Sequence, residues 1–73
     1  MEYNILSPDG ISINMDNFKS KAKANAAFTL WRKRFESQGY YSSSYGRIAL
    51  TELKHTCQII TIKDDNIIES KYL

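Results

Sequence analysis

The sequence predicts an α+β domain: two β-hairpins in one small antiparallel sheet, packed by one long amphipathic helix. Three observations carry that expectation. Apolar residues recur at Ala24, Ala27, Phe28, Trp31 and Phe35, steps of three and four that place them on one helical face. Short β-branched stretches lie at both ends of the chain, each broken by a turn signal. Seventy-three residues also leave room for one core, so residues 1–73 are expected to form a single domain.

Glu2 to Leu6 reads as a strand with Tyr3 and Ile5 on one face. Ser7-Pro8-Asp9-Gly10 is a turn: Pro presets φ, Asp bonds its own backbone, and Gly takes positive φ. Ile11-Ser12-Ile13 alternates again and predicts the return strand of a first hairpin. Asn14 to Lys19 is a polar connection around Phe18. Ser20 is the expected N-cap of the helix, its hydroxyl accepting a bond from an orphan N–H of the first turn, in preference to Asp16, which would lengthen the helix by a turn. Gly39 stands where a left-handed residue ends it.

The next stretch, Tyr40-Tyr41-Ser42-Ser43-Ser44-Tyr45-Gly46-Arg47, reads as a loop. Ile48 to Thr56 contains Leu50 and Leu53 three apart and predicts a short helix or 3₁₀ segment. Cys57 to Lys63 is β-branched and apolar, hence a strand. Asp64-Asp65-Asn66 is a turn, after which two readings stand: Ile67 to Tyr72 as a final strand closing a second hairpin, or a frayed end. The helix stripe is expected to face Tyr3 or Leu6, Ile11, Ile13, Ile59 or Ile60, and Ile62.

Composition narrows function by exclusion. One cysteine, Cys57, allows no internal disulfide, and with His55 it is the only soft ligand, so neither metal nor cofactor is expected. That pattern suits a reducing, cytoplasmic setting. No basic start leads into an apolar run that would read as a signal peptide, and no stretch nears the 18 apolar residues of a membrane span, so no membrane partner is expected. Phosphate loops, dinucleotide fingerprints and nucleophile elbows are absent. His55 and Cys57 stand two apart and would share a face in a strand, but a lone cysteine reads first as a small core residue. The chain therefore reads as a non-enzyme.

Net charge is +2, and the excess sits on the helix: residues 16–37 carry six basic side chains against two acidic ones. On the helical wheel the triplet Arg32-Lys33-Arg34 disperses, leaving Lys19, Lys23, Lys33 and Arg34 as one flank. Leu30 is a large apolar group off the core stripe.

Tyrosine, serine and glycine together recur in binding loops, where rigid rings cost little entropy and the small residues adapt. The leading expectation is a small non-catalytic module that binds another protein, or a second copy of itself, through Leu30, Tyr40, Tyr41, Tyr45 and Arg47. The alternative is DNA or RNA binding, with Lys19, Lys23, Lys33 and Arg34 on phosphates and the tyrosines stacked on bases. Tyr40 and Tyr41 have a competing structural reading, in which they fold back over the helix end.

Taken together, S-P-D-G-I near the start, W-R-K-R-F-E-S-Q-G-Y-Y-S-S, and G-R-I-A-L-T-E-L followed by the cysteine span about residues 5 to 57. Over that stretch the chain resembles small uncharacterised proteins of Bacteroidetes bacteria and their tailed phages. The resemblance implies a compact accessory protein of bacterial or phage origin and assigns no site residue. At fold level alone, hairpins with a helix also resemble the arm-binding domains of phage integrases, although those read DNA with strands and the strands here carry few basic residues.

Overall fold

The computed structural model describes residues 1–73. Its elements are β1 (Glu2–Leu6), α1 (Lys21–Lys33), β2 (Tyr40–Ser43), β3 (Gly46–Ala49), a 3₁₀ turn (Leu50–Glu52), α2 (Leu53–Thr56), β4 (Gln58–Lys63) and β5 (Asn66–Tyr72). The class is α+β, but the strands form two antiparallel sheets, not one: β1-β4-β5 and β2-β3.

The first expected hairpin does not form as a pair of strands. The chain does turn at Ser7 to Gly10, with the Gly10 N–H donating to the Ser7 carbonyl at 2.8 Å. Only a single bridge, Leu6 to Ser12, follows it. Beyond Ile13 the chain is too polar to continue a buried ladder, and side chains take over: Asn4 Nδ2 donates to the Asn14 carbonyl and to Asn17 Oδ1. The strand that pairs along the whole of β1, on its other edge, is β4, with Tyr3 opposite Thr61 and Ile5 opposite Ile59. The run Ile59-Ile60-Thr61-Ile62 explains the preference, since a near-continuous apolar strand belongs in the middle of a sheet.

The second hairpin forms as expected, β4 with β5 around a two-residue turn at Asp64 and Asp65. Both aspartates take left-handed φ, 51° and 64°, the geometry that matches strand twist in tight hairpins. A bulge lies between Thr61 and Ile62, where the register skips Ile68.

Helix α1 is shorter than the sequence suggested. Ser20 caps it, its hydroxyl accepting the Lys23 N–H at 3.1 Å. After Lys33 the bonding tightens to i→i−3 turns: Arg34 to Trp31, Phe35 to Arg32 and Glu36 to Lys33. Gly39, at φ 82°, ends the run by donating to the Phe35 carbonyl. Ala24, Phe28 and Trp31 are buried against Ile5, Leu53 and Cys57, with Phe35 half-buried beyond the helix end. The sheet contributes Tyr3, Ile5 and Ile59 to this core; Ile60 and Ile62, which alternate with Ile59 and Thr61, lie on the opposite face. No helix is long and apolar enough to cross a membrane.

Candidate functional site

The tyrosine- and serine-rich stretch expected as a loop is the hairpin β2–β3. Tyr41 stands opposite Ile48 and Tyr40 opposite Ala49, so strand alternation divides the residues between two faces. Tyr41 and Ile48 turn inward onto the core. The Tyr41 ring lies 5.3 Å from Trp31 and 5.0 Å from Phe35, edge-on to the latter. On the outer face the Arg47 guanidinium sits 4.5 Å from the Tyr40 ring centroid, a cation–π contact. The turn residues Ser44 and Tyr45 keep negative φ, so the left-handed position falls on Gly46, at 119°. Ser43 staples the turn, its hydroxyl donating to the Gly46 carbonyl and accepting the Tyr45 N–H. Tyr45 projects from the tip and is 87% exposed.

Asp9 holds this hairpin in place. Its Oδ1 accepts the Ser44 hydroxyl at 2.6 Å and the Ser44 N–H at 2.9 Å, and its Oδ2 accepts the Tyr41 hydroxyl at 3.2 Å. The Ser44 hydroxyl and then its N–H hold the Asp9 carboxyl below its ordinary pKa. Burial, with Asp9 adding to it, pushes the Tyr41 hydroxyl up. Sequence reasoning assigned Asp9 only to its own turn. Nothing local marks the longer role, because the bonded partners lie 32 and 35 residues away.

Beside the hairpin runs a shallow apolar trough. One stretch of about 240 Å³ is lined by Ile13, Phe18, Ala27, Leu30, Trp31 and Arg34 among others. A second, of about 230 Å³, is lined by Ile11, Ile13, Trp31, Phe35 and Tyr41 with Ser7 and Ser12. The two share Ile13 and Trp31, so they form one surface leading from the middle of α1 to the turn that Asp9 ties to the hairpin tip. Leu30 and Ile11, each about two-thirds exposed, stand on it. The structure thus gathers Leu30 and Arg34 at one end and Tyr41 at the other. Tyr40 and Arg47 lie on the outer face of the hairpin.

The four basic residues of the helix flank are not equivalent. Lys19 is bound to Glu2, Nζ to Oε2 at 2.6 Å. That bond lowers the Glu2 pKa and raises the Lys19 pKa. Lys23 and Lys33 are exposed and form no ion pair, while Arg34 lines the trough. Cys57 is the core residue its type suggested, fully buried, and burial pushes its thiol up to about 11. His55 is exposed on α2. A thiol with that pKa is protonated at neutral pH and is a poor nucleophile.

No family model matches this chain, and neither a curated protein nor a solved structure does.

Proposed function

We propose that this protein is a non-catalytic protein-binding module whose contact surface is the apolar trough along α1, extended by Tyr45 at the hairpin tip. One observation carries the reading: large exposed apolar side chains, Leu30 and Ile11, stand on the two stretches of a groove that meet at Ile13 and Trp31. Exposed apolar groups scattered singly need no explanation, but a continuous patch of them does. Arg34 at one end, with Lys33 beside it in sequence, favours a partner segment that is apolar with an acidic flank.

A photo-crosslinking side chain at position 30 tests this, with position 54 on α2 as the control. The expected result is a discrete adduct from position 30 only. The captured protein should then bind the purified module, and Leu30→Ser or Arg34→Glu should weaken that binding about tenfold, roughly 1.4 kcal/mol. Equal capture from both positions, or binding indifferent to both substitutions, would overturn the proposal.

The nucleic-acid reading has less support. Lys19 is neutralised by Glu2, the Tyr41 ring is enclosed by Trp31 and Phe35, and the Tyr40 ring carries Arg47. Steep salt-dependent binding of a single-stranded or duplex oligonucleotide would restore it.

A further inference from the structure

We propose that β5 is a self-recognition edge, joining two copies of this chain edge to edge around a two-fold axis through Ser70. This interface is separate from the trough and does not rest on the binding role proposed for it.

Strand order leaves β5 on the outside of its sheet. The other edge, β1, is covered: Tyr3 exchanges backbone bonds with Phe18, the Ser7 N–H donates to Ile11, and the Ile13 N–H donates to Ile5. Nothing comparable covers β5, and all seven of its residues are exposed. Ile67, Ile68 and Tyr72 are each more than half exposed. Beyond the strand end, the Leu73 N–H donates to the Cys57 carbonyl. Counting back through the antiparallel register, Glu69 and Lys71 also aim their backbone groups at β4. Ser70 and Tyr72 therefore turn theirs outward, unpaired. A long edge with free backbone groups and apolar side chains is a template for another strand.

Charge selects the occupant and the register. A strand pairing with its own copy around a two-fold axis normal to the sheet must set one residue opposite itself, because mates in a ladder share a face. Centring on Glu69 or on Lys71 sets like charges directly across from each other, which is unfavourable. Centring on Ile68 falls on the bulge and sets Glu69 against Ile67. Centring on Ser70 sets Glu69 opposite Lys71 of the second copy twice over, and Ile68 opposite Tyr72. In that register Ser70 is a hydrogen-bonded pair with itself. The Glu69–Lys71 pairs then fall at the closer, non-hydrogen-bonded sites, where side chains meet best. Within one chain Glu69 and Lys71 already lie 3.7 Å apart, so pairing builds a four-charge cluster. The sequence of β5 is thus complementary to itself when reversed.

Charge reversal tests this by sedimentation equilibrium over a range of protein concentrations. The full chain should show a monomer–dimer equilibrium. Glu69→Lys alone and Lys71→Glu alone should each weaken it about tenfold. An equimolar mixture of the two variants should restore association, since every cross-strand pair is then opposite in sign. Ser70→Pro removes an outward N–H and leaves the bonds from β5 to β4 in place, so it should abolish the dimer while the far-ultraviolet circular dichroism spectrum is retained. A chain that stays monomeric at millimolar concentration would overturn the proposal. So would dimers unaffected by the single reversals, or a mixture that fails to associate. Loss of binding at the trough variants with dimerisation intact would leave this edge standing, and the converse would leave the trough standing.

Discussion

Asp9 accepts three bonds from a hairpin that begins more than thirty residues downstream, and its chemistry sets a pH range for that attachment. Its carboxyl is held below the ordinary value in the folded state, so the bonds favour folding in full above about pH 4. They are lost as pH falls through the lowered folded value. Glu2 follows the same sign. Its partner Lys19 has a raised pKa, so that contribution is present below the ordinary lysine value and lost as pH rises through the folded one. Replacing Asp9 by Ala should therefore loosen the hairpin without unfolding the core. Hydrogen exchange at the Ser44 amide should accelerate in the variant, while the amides of β4 stay protected. An unchanged Ser44 rate would show that packing of Tyr41 alone holds the hairpin. The Tyr41 ring is the second attachment, packed in a three-way contact with Trp31 and Phe35, while Tyr40 and Tyr45 stay off the core.

At the scale of elements, local chemistry was legible and pairing was not. Ser20 and Gly39 were recognisable because caps depend on one side chain or one backbone conformation. Tyr3 and Ile5 could be assigned to one face because alternation is a local property. The β2–β3 hairpin was hidden because its serines read as loop. The alternation of Tyr41 and Ile48 with Tyr40 and Arg47 was the available signal, together with Gly46 two residues past Ser44. How far each neighbour of β1 would pair was not legible, since Ile11 to Ile13 and Ile59 to Ile62 offer similar patterns, yet the first holds one edge by a single bridge and the second pairs along the whole strand. Of the candidate surface, Leu30 could be singled out by its place off the stripe, whereas the groove beside it depends on where Ile13 and Phe18 come to rest. The β4–β5 turn carries a local cost. Left-handed φ at a non-glycine residue costs about 1 kcal/mol, and Asp64 and Asp65 both adopt it. Changing the pair to Asn-Gly, the preferred sequence for this turn, should raise stability by about 0.5–1 kcal/mol in urea denaturation. A neutral or negative effect would mean that the aspartates gain elsewhere what they lose in backbone energy.

For the whole molecule, the core is small and concentrated. Ile5, Ala24, Phe28, Trp31, Leu53 and Cys57 form its buried cluster, and one of them joins it to the aromatic side chains at its margin. Trp31 lies against Phe28, Phe35 and Tyr41, and it also floors both stretches of the trough. Trp31→Ala should cost about 3–5 kcal/mol. That is most of the stability a domain of this size commands, so the variant should be largely unfolded at 25 °C by circular dichroism. A cooperative transition near that of the parent would show that the aromatic cluster can close over the gap. The same residue links folding to the proposed contact surface, which is why Leu30 and Arg34, at its rim, are the better probes of binding.

The order β1-β4-β5 also bears on when the molecule can come into being. The central strand is specified late, by residues 58–63, although its first neighbour is specified by residues 2–6. During synthesis, β1, α1 and the tyrosine hairpin leave the ribosome with no floor on which to close. Ile5 and the aromatic side chains of α1 must wait, exposed, until the isoleucines of β4 emerge. This architecture acquires its fold in one late step and not progressively, and a nascent chain stalled before residue 58 should be a substrate for chaperones.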